Sequence, residues 1–95
     1  MLSGKTLVSV GQQQISTELS DEVVILNLPN GVYYGLDKTG AFIWSMIAQP
    51  TTVDQVIDGV LARYSVDRAT CERDVYALLN NLVEQELVEI VVRPG

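Results

Sequence analysis

The spacing of hydrophobic residues follows a two-residue period in the first part of the chain. Ile15–Leu19 alternates apolar and polar residues, which predicts a half-buried strand. Val23–Leu28 is almost continuously apolar, which is typical of a central strand covered on both faces. The turn residues Pro29-Asn30-Gly31 then reverse the chain into Val32–Leu36, a short segment whose Gly35 favours an edge strand. We therefore predict a three-stranded antiparallel sheet.

Two short apolar runs lie nearer the chain ends. Leu7–Val10 is predicted to be a frayed start, because Gly11 and the glutamines after it interrupt the run. Leu87–Val92 is rich in β-branched residues and predicts a short C-terminal strand before the last three residues.

The second half of the chain changes to the 3.6-residue period of helices. Asp37 is predicted to cap the first helix, which carries Trp44 on its apolar stripe and which Pro50 stops. Thr52 begins the second helix with a capping-box pattern. Asp67 caps the third helix, predicted to run from about residue 69 to residue 84.

Taken together, these elements predict an α+β fold with a three-stranded antiparallel sheet followed by three helices and a short C-terminal strand. The short connectors between helices favour winged helix-turn-helix-like packing. No internal repeat, low-complexity stretch or long linker divides the chain, so residues 1–95 are predicted to form a single domain.

Composition narrows the function. The chain has 12 acidic and 6 basic residues and a net charge of −6, which argues against nucleic-acid binding. Histidine, the commonest general base and metal ligand, is absent, and the single cysteine excludes an internal disulfide. From the sequence we expect no signal peptide, and no apolar run reaches membrane-spanning length. We therefore expect a cytoplasmic binding protein that has no catalytic residue, metal ion or cofactor and does not bind membranes.

Isolated chemical groups support that expectation. Asp54 and Asp58 lie one helical turn apart, but no further oxygen ligands follow at matching spacing, so a solvated face is the favoured interpretation. Cys71 falls on the apolar stripe of the third helix and is predicted to be a buried structural thiol. The glutamates near the C-terminus are interpreted as a solvated acidic rim: Glu84, Glu86 and Glu89.

The third helix carries two adjacent apolar stripes, which together are wider than one small core needs. The first stripe contains Cys71, Val75, Leu78 and Leu82, and the second contains Tyr76, Leu79 and Val83. One interpretation is a central helix with neighbours on both sides. In the other, part of the second stripe lines a groove.

Tyr33 and Tyr34 on the third strand raise a similar question. Neighbouring side chains on a strand point to opposite faces. If Tyr34 faces the core with Val32 and Leu36, Tyr33 points away, either to solvent or to a ligand beside the edge.

The segment Asn30–Asp37 (NGVYYGLD), followed by Thr39–Trp44 (TGAFIW), resembles the PqqD family. The family pattern is a hairpin ending in G-x-Y-Y-x-L-N and then a helix opening with G-A-x-I-W. Asp37 stands in place of the usual Asn, and Glu86 stands where the family often has Gly. The resemblance covers about residues 15–92.

This resemblance implies a recognition element for ribosomally made, modified peptides. It implies that the leader segment of a precursor docks as an added antiparallel strand on the third strand, against the third helix. The residues expected to bind the leader are Val32, Tyr33, Tyr34, Gly35, Leu36, Arg73, Asp74, Val75, Leu78, Leu79 and Leu82.

Within the family, the chain is most similar to standalone members from lasso-peptide clusters. The implied partners are the precursor, a separate leader peptidase and a macrolactam cyclase. The alternatives are a peptide chaperone for pyrroloquinoline quinone or another modified peptide, and a non-catalytic subunit of a larger enzyme. A DNA-binding regulator is disfavoured because the third helix carries Glu72, Asp74 and Glu84 against only Arg68 and Arg73.

Overall fold

The structure of the chain is a computed structural model that describes residues 2–91. Its elements are β1 (Leu7–Val10), β2 (Gln14–Leu19), β3 (Glu22–Asn27), β4 (Val32–Leu36), α1 (Lys38–Met46), β5 (Thr51–Thr52), α2 (Val53–Arg63), α3 (Arg68–Glu84) and β6 (Val88–Val91). The strands form two antiparallel sheets, with the orders β2-β3-β4 and β5-β1-β6. The predicted α+β class is confirmed, and β2-β3-β4 is the predicted sheet.

The sheet formed by β5, β1 and β6 was not predicted. Leu7–Val10 is not a frayed start but the central strand of this sheet, and Val8 is completely buried. β1 pairs with β6, about eighty residues away along the chain, with Val8 opposite Ile90. Such distant pairing has no signal in a four-residue run. The predicted C-terminal strand is confirmed as far as Val91, and residues 92–95 lie outside the described residues.

The three helices begin at the predicted caps. Asp37 accepts a hydrogen bond from the backbone N–H of Gly40 at 2.9 Å, and Asp67 accepts one from Thr70 at 3.0 Å. At α2, Thr52 and Gln55 exchange both bonds of the predicted capping box. These bonds satisfy backbone donors that a helix start otherwise leaves unpaired.

The strand β2 is more exposed than its alternation predicted. The register places Ser16 opposite Ile25, which faces the core, and therefore turns Ile15 and Leu19 to the outer face of the sheet. These two side chains are 56% and 54% exposed. The prediction that β3 is covered on both faces was wrong for the same reason, because no helix of residues 2–91 covers this outer face and Leu26 is only half-buried.

On α3, the core stripe differs from the predicted one by a single residue. Leu79 is completely buried, whereas Leu78 is half-buried. The observed core stripe is Cys71, Val75, Leu79 and Leu82. The predicted stripe with Leu78 and the observed stripe with Leu79 both match a 3.6-residue period. Only the packing of α3 against α2 and β6 therefore distinguishes the two stripes.

A side-chain hydrogen bond joins the sheet to the end of α3. The amide of Asn27, which is 4% exposed, donates to the Gln85 carbonyl at 2.8 Å. This bond holds the C-terminal end of α3 beside β3 and so helps to set the separation between α3 and β4.

Candidate peptide-binding groove

A groove of about 580 Å³ lies between β4 and α3, with α1 and the end of α2 at its base. Its lining is mostly apolar. It is formed by Tyr34, Gly35, Leu36, Asp37, Thr39, Gly40, Ile43, Val60, Tyr64, Val66, Thr70, Cys71, Asp74, Val75 and Leu78. The groove therefore joins the strand and the helix that the sequence predicted to act together.

The strand β4 begins after the predicted turn. Gly31 has a φ of 69°, a left-handed conformation that glycine adopts without strain. The Asn30 side chain accepts a hydrogen bond from the N–H of Val32 at 2.9 Å. The turn thereby sets where β4 starts relative to β3.

Two backbone bonds show which way β3 directs its hydrogen-bonding groups. The N–H of Leu28 donates to the Gln13 carbonyl at 3.1 Å, which extends the β2–β3 ladder by one pair. The Asn27 carbonyl accepts from Gly31 at 2.8 Å. Because hydrogen-bonded and non-hydrogen-bonded pairs alternate along an antiparallel ladder, the backbone of Asn27 faces β4.

This direction identifies which backbone N–H and C=O groups of β4 point away from β3. The register pairs Asn27 with Val32, so the backbone groups of Tyr34 and Leu36 also face β3. Those of Tyr33 and Gly35 point to the other side. Within residues 2–91, β4 pairs with β3 alone, so these groups form an open edge.

Side chains along β4 divide between the two faces of the sheet. Leu36 is buried and Tyr34 half-buried, and both line the groove. Tyr33 is 69% exposed on the opposite face, as the alternation predicted. Gly35 leaves the edge bare, since a Cβ atom built there would meet nothing within 4 Å.

The wall formed by α3 contains three of the predicted residues. Val75 lies at the base, while Leu78 and Asp74 lie nearer the rim. Leu79 and Leu82 are 0% exposed and do not line the groove, which corrects their assignment as groove walls: they belong to the core. Of the remaining predicted residues, Val32, Tyr33 and Arg73 are exposed outside the groove lining.

Sequence reasoning missed the base and far end of the groove. Ile43 comes from α1, and Tyr64 and Val66 come from the end of α2 and the connector after it. Val66 is 46% exposed. In the sequence it is the only apolar residue between Tyr64 and α3, and this position was the one local signal that could have identified it as a groove residue. Ile43 carried no such signal, since it reads as an ordinary stripe residue of α1.

The charged groups at the groove are two exposed carboxylates. Asp37 also caps α1, and Asp74 lies 3.8 Å from the Arg73 guanidinium, a solvent-exposed contact of little energetic weight. Burial raises the pKa of the Cys71 thiol, which keeps it protonated and poorly nucleophilic. Within residues 2–91, no cluster of three metal-ligating side chains occurs, and no helix has the length and apolarity to cross a membrane.

An open strand edge beside an apolar groove fits one recognition mode well. An extended peptide can pair with the edge through its main chain and place alternate side chains in the groove. The groove and edge thus offer both the backbone bonds and the side-chain pockets that this mode requires.

Comparisons with known proteins agree with this geometry. A solved structure described as TbiB1 in complex with the TbiA(beta) leader peptide has a TM-score of 0.81 and 38% identity, covering 90% of this chain and 99% of that chain. A second, of lasso peptide synthetase B1 complexed with the leader peptide, has a TM-score of 0.76 and covers 86% and 96%. Its 23% identity bears on the fold alone. No curated protein matches the chain significantly.

The family match covers the elements that build the groove. The model for coenzyme PQQ synthesis protein D (PqqD) matches residues 22–88, which contain β3, β4 and all three helices. Since this match spans more than half of the chain, the chain belongs to the PqqD family.

Proposed function

We propose that the chain binds the leader segment of a ribosomally made precursor peptide as an added antiparallel strand on β4. The observation that carries the proposal is the open edge of β4 at Tyr33 and Gly35, next to the apolar groove against α3. The 38% identical TbiB1, whose structure is a leader-peptide complex, supports it.

Energetics assign separate roles to the edge and the groove. Tyr33 and Gly35 each offer one N–H and one C=O, so four hydrogen bonds contribute roughly 2–6 kcal/mol in total. Ordering a disordered peptide costs about 2–5 kcal/mol or more. The backbone bonds alone therefore leave little net affinity. Apolar leader side chains packed against Tyr34, Val75 and Leu78 supply the rest.

In the cell, the chain delivers the bound precursor to separate enzymes and has no catalytic activity of its own. The enzymes proposed are a leader peptidase and a macrolactam cyclase of a cytoplasmic lasso-peptide pathway. A protonated, buried Cys71 thiol and a groove with only two exposed carboxylates support a binding role rather than a catalytic one.

Membership of the PqqD family favours a second candidate. The matching model describes a protein of coenzyme PQQ synthesis, so the same groove would then present the precursor of that coenzyme. The two candidates share the binding mode and differ in the leader. Comparing the affinity for a lasso-type leader with that for the coenzyme precursor separates them.

The decisive experiment is calorimetric titration of the chain with synthetic leaders. One peptide copies the TbiA(beta) leader, and the other copies the leader encoded beside the gene of this chain. We expect sub-micromolar affinity for the latter, equivalent to more than about 8 kcal/mol. Absence of heat and of any thermal shift with both peptides would remove the proposal.

Two substitutions at one position test the edge itself. Gly35→Pro removes an outward N–H that β3 does not use, and is expected to weaken binding about tenfold or more without unfolding the strand. Gly35→Ala is the matched control, because it keeps the N–H and its Cβ meets no neighbour. Equal affinity of folded Gly35→Pro and Gly35→Ala variants would mean that the leader binds elsewhere.

A further inference from the structure

The outer edge of β2 has no role in the proposed function. Within residues 2–91, β2 pairs only with β3, and five of its six residues are exposed. Ile15 and Leu19 leave more than half of their surfaces in contact with solvent. The edge therefore combines open backbone groups with uncovered apolar side chains.

This edge has few of the features that keep strand edges apart. Exposed edges are commonly guarded by lysine, proline, a bulge or an inward-pointing charge. Gln14–Leu19 contains no lysine or proline, and its pairing with β3 runs without a bulge. Its only charged residue is Glu18, which lies opposite Val23 on the helix-facing side of the sheet and is the one inward-pointing charge that β2 carries.

The alternation derived at Leu28 also determines which groups of β2 are open. Because Ile15, Thr17 and Leu19 direct their backbone groups to β3, those of Ser16 and Glu18 point to the free edge. A second copy related by a two-fold axis must place residues of the same face opposite one another. An antiparallel pairing of two β2 strands meets both conditions when Thr17 lies on the two-fold axis.

That register is complementary in each pair that it forms between residues 15 and 19. Ile15 of each copy lies opposite Leu19 of the other, so the two exposed apolar side chains cover one another. Ser16 lies opposite Glu18, where its hydroxyl can donate to the carboxylate. Thr17 faces its own copy, a pair that antiparallel sheets favour.

Neighbouring registers are poorer. A shift of two residues in one direction places Glu18 directly opposite Glu18 of the second copy, and like charges in that position are destabilising. The opposite shift leaves Leu19 beside Gln13 and exposes it again. Charge and apolar pairing thus select the register centred on Thr17.

We infer that β2 is a self-association edge, through which two copies of this chain form a continuous six-stranded antiparallel sheet. The two β4 edges then lie at opposite ends of that sheet, so each copy keeps its own groove open. The inference is independent of the proposed function, because it uses the other edge of the sheet.

The contact is small, which determines how the dimer behaves. The register centred on Thr17 pairs five residues of each strand and buries less area than stable dimers usually do, so association is expected to be weak and concentration-dependent. Each copy carries a net charge of −6, and salt screens the repulsion between copies. Sedimentation equilibrium should therefore show a fraction of dimer that rises with both protein and salt concentration. A monomer at millimolar protein and 0.5 M salt would overturn the inference.

Charge pairs at the axis test the register. Thr17→Lys and Thr17→Glu each place like charges opposite one another and are expected to give monomers at every concentration. An equimolar mixture of the two variants should restore the dimer as a mixed species. Dimers of either variant alone, or no dimer in the mixture, would contradict pairing at Thr17. Circular dichroism verifies that both variants keep the fold.

A disulfide provides a second test with a matched control. Thr17→Cys places two thiols at a non-hydrogen-bonded pair, where Cα atoms lie about 4.5 Å apart and a disulfide fits. Ser16→Cys lies opposite Glu18 instead, so the Cα atoms of its two cysteines stand about 7–8 Å apart across a diagonal, too far for ready bridging. Cys71, the only native cysteine, is buried.

Mild oxidation should therefore give a covalent dimer of Thr17→Cys and leave Ser16→Cys mostly monomeric. The opposite pattern, or equal yields, would overturn the proposed register. If the wild-type chain stays monomeric and both cysteine variants fail to crosslink, the edge of β2 does not join copies of this chain.

Discussion

Leu78 and Leu79 are neighbours on α3 and have identical side chains, yet the structure gives them different surroundings. Leu79 points into the space that α2 and β6 fill, and it has no exposed surface. Leu78, about 100° further around the helix, points towards β4 across the groove and remains half-buried. One side of α3 therefore packs against its own chain, while the other lines a space that its own chain leaves open.

This difference means that the core side of α3 contributes mainly to stability and the groove side mainly to peptide binding. Side chains on the core side have their partners whether or not a peptide is present, so their loss destabilises the fold. Side chains on the groove side gain further contacts only when a peptide occupies the groove. The first two predictions below each break one side and leave the other intact, and the last two change helix caps outside both sides.

The largest expected effect is on the core side. Leu79→Ala should lower the free energy of unfolding by about 2–5 kcal/mol, because it opens a cavity at a completely buried position. Urea denaturation measures the loss. Below the transition, the affinity of the folded fraction for the leader should stay within about threefold of wild type; a tenfold loss there would place Leu79 in the binding site.

On the groove side, Leu78→Ala should weaken leader binding more than it destabilises the fold. We expect leader affinity to fall about tenfold, equivalent to about 1.4 kcal/mol, because an apolar contact with the peptide is lost. The free energy of unfolding should fall less than for Leu79→Ala, since Leu78 is already partly exposed. Calorimetry and urea denaturation of both variants check the contrast, which fails if their effects run in parallel.

A helix cap outside the groove serves as a smaller control. Thr52→Ala removes one side of the capping box of α2 and should cost about 1 kcal/mol of stability. Thr52 does not line the groove, so leader affinity should not change. A drop in affinity that accompanies this loss would show that binding follows overall stability, and would weaken the distinction between the two sides of α3.

The smallest effect is the response of the α3 cap to acid. Hydrogen bonds from the Thr70 backbone and side chain hold the pKa of Asp67 below its ordinary value of 3.8. Because the pKa is lower in the folded state, this carboxylate stabilises the fold above the unfolded pKa and loses that contribution as pH falls through the folded value. Melting temperatures between pH 6 and pH 2.5 should fall less for Asp67→Asn than for wild type. Parallel curves would show that Asp67 is not linked to folding.

Much of the local structure was predictable because its signals lie within a few residues. The caps at Asp37, Thr52 and Asp67 use hydrogen bonds that span three residues, and all three are confirmed. The turn before β4 follows from the left-handed conformation that Gly31 adopts. The family pattern around β4 and α1 led to the fold and to the strand-and-helix site before any packing was known.

The groove was predictable in its strand and helix but not in its lining. Tyr34, Gly35, Leu36, Asp74, Val75 and Leu78 were expected to contact a peptide, and all six line the groove. Ile43 and Tyr64 were not expected there, because each follows an ordinary apolar stripe and reaches the groove only through the packing of its helix.

The sequence by itself determined the α+β class, the order of β2, β3, β4, the three helices and β6, the helix caps and the strand that forms the groove edge. These features depend on short-range periodicity and on hydrogen bonds between near neighbours. Only the tertiary structure decided that Leu7–Val10 joins a second sheet, that Ile15 and Leu19 face outwards, and that Leu79 rather than Leu78 is core. A strand's partner and a helix's rotation depend on residues far away in the chain, and a single side-chain pattern is compatible with more than one of them.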